Sequence, residues 1–506
     1  MENPFTQGNY APIRQERSCT ALPVIGEIPD HLDGRYLRNG PNPISEIDPD
    51  TYNWFMGDGM VHGIRLRDGK AEWYRNRWVR SPAVTQALGE PPRPRNPRAG
   101  LDVLGANTNI IGHAGRTLAL VEAGATNYEL TDELDTVGPC DFDGTLPGGY
   151  TAHPKRDPET GELHAVSYFF GRGNTVQYSV IGADGRARRT VDVAVSGSPM
   201  MHDFSLTENH VVFYDLPVSF DARQAVEGAV PVWLRRPAQL VVSALIGRVR
   251  VPDPITARMA RFTPANQSFP YRWNPRYPAR IGVMPRSGGA RDVRWFDVEP
   301  CYVFHPLNAY ETETGLVLEI VRHAKVFDAD LQGPSEGAPT LDRWTVDFKS
   351  GRVREERLDD RLQEFPRVDE RLVGKRHRYG YAVGDDTLLK HDMTTGKTET
   401  RSFGEGDQVG EFVFEPRTPD AAEDDGVLMA CVFRRRRSAA TCSCWTRKPW
   451  RRWPRSGSRT GSPTASTATG SRRAADPVCI SCCYSNTKCT RHLNSGTGGR
   501  CFRGRR

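Results

Sequence analysis

Val61-His62-Gly63-Ile64-Arg65-Leu66, bounded by Asp58-Gly59 on one side and Asp68-Gly69 on the other, sets the reading of the whole chain. Short β-type runs closed by Asp-Gly or Asn-Gly read as strands joined by tight turns, because these dipeptides accept the positive φ that hairpin turns need. The same punctuation recurs at Asn39-Gly40, Asp184-Gly185, Ser350-Gly351 and Thr395-Gly396, around segments such as Leu118-Ala119-Leu120-Val121. Antiparallel meanders therefore fill residues 30–430. That is too much meander for one sandwich, and radial repetition protects so many strand edges best. The expectation is an all-β chain folded as a β-propeller, without a crisp Trp-Asp repeat in each blade. Loop and helix insertions over one face interrupt it, the longest at about 217–290.

Within that insertion Val230-Pro231-Val232-Trp233-Leu234 leads into Arg235-Arg236 and then Leu240-Val241-Val242-Ser243-Ala244-Leu245-Ile246. The plainer reading is a helix buried against the propeller. The sharper one is an apolar patch with basic flanks that dips into one leaflet of a membrane. It is too short to cross, and no run of about 18 apolar residues occurs in the chain. The Met-Glu-Asn-Pro start lacks the basic-then-apolar pattern of a signal peptide. A cytoplasmic location, with peripheral membrane contact on the sharper reading, is the expectation. The scattered Cys19, Cys140 and Cys301 make no disulfide framework and fit a reducing compartment.

Charge divides the chain in two. Residues 434–506 hold 18 of the 68 Lys and Arg but one of the 62 Asp and Glu, Asp476, which leaves 50 basic and 61 acidic residues in 1–433. The same segment holds most of the 11 cysteines and three aliphatic residues of the Val, Ile and Leu type. An acidic globular body, 1–433, is thus followed by a basic tail, 434–506, of alien composition. The basic pI comes from the tail alone, so it is no argument for a nucleic-acid partner. Cys479, Cys482 and Cys483 lack the second Cys-x-x-Cys pair that a structural zinc site needs.

Three histidines stand at the edges of apolar, strand-like runs. They are His153 in Gly149-Tyr150-Thr151-Ala152-His153-Pro154, His202 in Pro199-Met200-Met201-His202-Asp203-Phe204, and His305 in Tyr302-Val303-Phe304-His305-Pro306-Leu307. Imidazoles gathered from separate strand ends make a site for zinc, copper or iron, and spacing does not choose among them. A lone histidine beside an apolar strand is more often structural.

These neighbourhoods resemble the carotenoid cleavage oxygenase family. The resemblance extends to Tyr36-Leu37-Arg38-Asn39-Gly40-Pro41-Asn42-Pro43, Trp54-Phe55-Met56-Gly57-Asp58-Gly59-Met60-Val61-His62, Glu364-Phe365-Pro366-Arg367 and Glu423-Asp424-Asp425-Gly426, covering about 20–430 in consistent order. It implies a seven-bladed propeller with a non-haem Fe(2+) on its axis, held by four histidines. The implied reaction cleaves one double bond of a hydrophobic polyene with O2 to give two carbonyl products. Carried onto this sequence, His153, His202 and His305 are the first three ligands. Glu122, Glu364 and Glu411 are the carboxylates behind the ligands, which accept the far ring N–H and fix the tautomer. His62, His113, His164, His210, His323, His377 and His391 remain structural or surface residues. Stilbene-cleaving members carry a lysine directly before the first of these glutamates; Val121 stands there, so a phenolic alkene is the runner-up substrate.

The resemblance also places a fourth histidine, in a Phe-His-Gly context, near position 467, where this chain reads Gly461-Ser462-Pro463-Thr464-Ala465-Ser466-Thr467-Ala468-Thr469-Gly470. No fourth ligand is present there, and His492, between Arg491 and Leu493, does not resemble the motif. Read one register over, the four-codon boxes of those ten residues permit Phe-Pro-Tyr-Gly-Phe-His-Gly-Asn-Trp. Together with the composition break this implies a reading-frame shift near 433–437. The alternative is a genuine disordered basic extension. Either way the expectation is a last blade left incomplete, with the tail outside it. A second function class, a non-enzymatic propeller that is either a scaffold or an iron-free polyene binder, follows from three ligands without the fourth.

Overall fold

Seven antiparallel sheets form the blades of a propeller ring, and the Asp68-Gly69 turn shows why the chain folds into them. Asp68 and Gly69 both take positive φ, 48° and 68°, so Arg67 pairs directly with Lys70 across a two-residue hairpin. The computed structural model describes residues 3–50, 52–94, 105–146, 149–227, 230–245, 269–331 and 336–435, together with the backbone of strands 439–446 and 478–481.

The first blade comprises Gly34–Pro41, Gly59–Arg67, Lys70–Trp78 and Arg17–Cys19. The second runs in sequence order through Asn109–His113, Arg116–Leu120, Asn127–Leu130 and Thr136–Cys140. Lys155–Arg156, Leu163–Ser167, Thr175–Ile181 and Ala187–Ala194 follow as the third, and Ser205–Leu206, His210–Asp215, Arg280–Pro285 and Arg294–Asp297 as the fourth. The fifth is Pro306–Glu311, Gly315–Arg322, Thr340–Asp347 and Arg352–Asp359. The sixth is Glu364–Arg367, Tyr379–Val383, Thr387–Asp392 and Lys397–Ser402. Opening strands of neighbouring blades touch, those of the first and second, the fourth and fifth, and the fifth and sixth, so they form the inner ring around the axis.

Burial follows from this layering. Gly315–Arg322 lies inside its blade with other blades on both faces and is buried along almost its whole length. Arg352–Asp359, at the rim of the same sheet, alternates between exposed and half-buried residues. The largest apolar cluster, with Tyr178, Phe213, Ile281, Leu318 and Trp344, joins the third, fourth and fifth blades into one core. Those are the three blades whose opening strands the candidate histidines precede.

Two expectations change. The seventh sheet contains Gln408–Val409, Val413–Pro416 and Gly426–Arg434, then Ala439–Thr446, Val478–Ser481 and the N-terminal Val24–Ile25. The last blade is therefore not left incomplete: two tail strands enter it and the two ends of the chain close the ring. Main-chain pairing explains this, because the unpaired N–H and C=O groups of an edge such as Gly426–Arg434 are satisfied by any extended backbone, whatever its side chains. The stretch 461–470, Cys482, Cys483 and His492 lie outside the described residues.

The long insertion departs between the second and third strands of the fourth blade, on a ribbon of Val218–Phe220 paired with Tyr271–Trp273. Its helix, Arg235–Leu245, is not buried on the propeller as the plainer reading expected. Trp233 is 78% exposed and Leu240 73%, with Val232 and Val241 also exposed. The apolar run marks a face that wants cover, and the propeller does not supply it.

Candidate metal centre

Each of the three histidines directly precedes the opening strand of a blade: His153 before Lys155–Arg156, His202 before Ser205–Leu206, His305 before Pro306–Glu311. All three opening strands start at the same end of the ring, beside its axis. Side chains 49 and 103 residues apart in the sequence are thereby brought to one point. One potential ligand atom from each ring lies within 4.8 Å of the other two. The ring centroids of His153 and His202 are 4.4 Å apart, and those of His202 and His305 5.1 Å. The Tyr302 hydroxyl donates to the Met200 carbonyl at 2.7 Å, tying the loop that carries His305 to the loop that carries His202.

Two of the glutamates lie behind this cluster. Glu122 follows Arg116–Leu120, which runs antiparallel to the opening strand of its blade and so returns to the same end. Its turn packs against the loop leading to His153 so tightly that a Cβ on Gly149 would lie 2.5 Å from the Gly124 Cα. Glu364 opens the sixth blade, where the pairing register shifts between Glu364 and Arg367 and Phe365 takes a φ of 50°. A bulge of this kind re-aims a side chain, here towards His305. The Nδ1 of His202 meets Glu122 Oε2 at 2.8 Å, and the Nδ1 of His305 meets Glu364 Oε2 at 2.7 Å.

These hydrogen bonds decide the chemistry of the cluster. A carboxylate only accepts, so both Nδ1 atoms carry N–H, and in neutral rings both Nε2 atoms then present lone pairs. The two Nε2 atoms face each other at 3.3 Å. Two lone pairs at that distance repel unless a proton or a metal cation lies between them. His153 Nε2 is also buried, with no hydrogen-bond partner among the described residues. Three nitrogen donors converging with their far sides occupied fit a divalent transition metal.

Electrostatics agree. Burial, His202 and His305 hold the His153 imidazole well below its ordinary pKa, so it stays neutral and free to donate a lone pair. Burial opposes protonation of His305, but Glu364 outweighs it and raises the pKa. Burial likewise pushes the Glu364 carboxyl up, and His305 and His323 more than reverse this, holding it well below the carboxylate range. Aromatic rings wall the site: Phe304 meets His202 edge-on at 5.4 Å, and Phe365 lies 5.3 Å from His305. Phe55 stacks on Phe304 and, with Phe269 and Phe327, extends the wall.

Glu411 is different. Its Oε1 accepts from Arg367 Nε at 2.6 Å, and among the described residues no imidazole reaches it. Sequence reasoning missed His323, whose Nε2 lies 2.8 Å from Glu364 Oε1. Nothing around it in the sequence sets it apart from His62, which pairs with Tyr74, or His164, which pairs with Tyr178.

The comparisons with known proteins agree with this geometry. The family model described as retinal pigment epithelial membrane protein matches residues 10–446. The chain is 60% identical to a carotenoid cleavage oxygenase of Mycobacterium tuberculosis, over 86% of this chain and 91% of the relative. The chain belongs to the carotenoid cleavage oxygenase family. It is also 31% identical to carotenoid 9,10(9',10')-cleavage dioxygenase 1 of Pisum sativum, over 85% of this chain and 82% of that one. Among solved structures, the lignostilbene dioxygenase of Pseudomonas brassicacearum superposes with a TM-score of 0.72 at 26% identity, covering 88% of this chain and 92% of that one.

Within that family frame the three glutamates are not equivalent. E122Q and E364Q each replace the anionic acceptor behind an imidazole with a neutral amide and should weaken divalent-metal binding about 10–100-fold. E411Q, whose partner is Arg367, should change it far less. Metal titration of the three variants checks this, and an E411Q loss as large as the other two would contradict it.

Proposed function

We propose that this chain is an Fe(2+)-dependent dioxygenase that cleaves one C=C bond of a carotenoid or apocarotenoid with O2, giving two carbonyl products. The observation that carries the reading is the convergence of His153, His202 and His305, with carboxylates behind two of them. These three would hold the iron. When bound, the metal supplies O2 activation, the step that no side chain here performs.

The chain's own residues do the rest. Glu122 and Glu364 keep the Nδ1–H tautomers and leave the Nε2 lone pairs aimed at one point. Phe55 and Phe365, backed by the buried Phe304, offer aromatic surface on which a rigid, apolar polyene lies without desolvating polar groups. Fixing a double bond beside the metal is an orientation effect, and such positioning lowers a barrier without any acid or base. Val121, buried beside Glu122, offers no cation to a phenolate, which favours a polyene over a phenolic alkene.

The exposed Val232, Trp233, Leu240 and Val241, flanking Arg235 and Arg236, support peripheral contact with a lipid surface, the place from which so apolar a substrate would be drawn. No helix among the described residues is long and apolar enough to cross a membrane. Flotation with anionic phospholipid vesicles should be lost in W233D/L240D, and retention there would remove this part of the reading.

The body and tail are proposed as separate units of meaning, the body carrying the chemistry and the tail a frame-shifted replacement for the segment with the fourth histidine. The 506-residue chain should then bind iron weakly and turn over slowly, whereas restoring the alternative frame from about residue 434 should recover both. Iron analysis and O2 uptake with an apocarotenal, with a hydroxystilbene in parallel, check this. Cleavage of the stilbene alone would favour the phenolic reading, and polyene retention without iron in both forms would make the protein a binder. Stoichiometric iron and rapid turnover in the unmodified chain would contradict the account of the tail.

A further inference from the structure

We propose that His323 is a positioning residue of the metal centre: by holding the far oxygen of Glu364, it fixes the carboxylate that orients His305. The proposal rests on the metal reading above and adds a residue that lies outside the four-histidine, three-glutamate pattern.

The geometry is a chain of two imidazoles on one carboxylate. Glu364 Oε2 accepts from His305 Nδ1 at 2.7 Å and also from the backbone N–H of Phe365, while Oε1 meets His323 Nε2 at 2.8 Å. Both oxygens are therefore engaged, and the carboxylate cannot rotate without breaking a hydrogen bond. His323 is itself immobile. It is 1% exposed, and its N–H and C=O pair with those of Tyr302 at 2.8 and 2.9 Å. Its ring meets Phe304 edge-on at 5.0 Å. Residues 302, 304 and 305 all belong to the loop that ends in the ligand, so His323 braces that loop through backbone, ring and carboxylate together.

Glu122 is served differently. It holds His202 on one side and the Tyr168 hydroxyl on the other, a neutral phenol in place of an imidazole.

Co(II) titration of the full chain, followed by visible absorption, reads the effect. H323L should raise the Kd for Co(II) about tenfold and alter the Co(II) band shape. H323Q, whose amide N–H reaches the same oxygen, should restore both. In an E364A background H323L should add no more than about a factor of two, because the group that links His323 to His305 is gone. The thermal melt of each metal-free variant separates loss of folding from loss of orientation, and if H323L does not fold, H323M, unbranched and without an N–H donor, takes its place. Unchanged affinity and spectrum in the donor-free variant, or a full effect that persists in E364A, overturns the proposal and leaves the metal reading standing. Absence of Co(II) binding by the unmodified chain overturns the metal reading and this proposal with it.

Discussion

The rest of the structure depends on two hydrogen bonds, His202 Nδ1 to Glu122 and His305 Nδ1 to Glu364. Each satisfies a half-buried carboxylate, and each forces its imidazole into the tautomer whose other nitrogen is a bare lone pair. With those nitrogens 3.3 Å apart, the protein has built a point that only a proton or a cation can fill. Folding thus does electrostatic work in advance: repulsion between donors is accepted, and a bound metal relieves it.

The propeller is what makes such a point affordable. Opening strands of successive blades begin side by side at one end of the axis, so a residue just before each strand needs no long loop to reach its neighbours. Residues on the ends of packed strands are also better fixed than residues on mobile loops. The core shared by Tyr178, Phe213, Ile281, Leu318 and Trp344 locks the third, fourth and fifth blades, and the Tyr302–Met200 bond locks two of the ligand loops to each other. Local irregularity does the final aiming: the bulge at Phe365 turns Glu364 inward, and the contact between Gly149 and Gly124 lets two loops meet where any side chain would hold them apart.

How much of this was legible in the sequence depends on the range of the interaction. Turn chemistry is local, so Asp58-Gly59 and Asp68-Gly69 announced hairpins, and enough of them announced a propeller. The count of seven blades and the choice of His153, His202 and His305 came from resemblance, since spacing alone left zinc, copper and iron open. The helix Arg235–Leu245 was misjudged because apolar character tells that a face wants cover and not what covers it. Strands 439–446 and 478–481 were missed because their pairing is a main-chain interaction, and the tail around them, rich in Arg, Ser and Thr, hides it. His323 gave no signal at all: its role comes from a carboxylate 41 residues away, and no local pattern encodes that meeting.

The central claim is that imidazoles, and no other side chains of this protein, form the protein part of the metal's coordination. Fe K-edge X-ray absorption of the iron-loaded chain tests it most directly. The expected result is a nitrogen and oxygen first shell with the outer-shell multiple scattering of imidazole, diminished by H202A and by H305A. A shell containing sulfur, which would point to the cysteine-rich tail, or an imidazole pattern indifferent to both substitutions, would contradict the account.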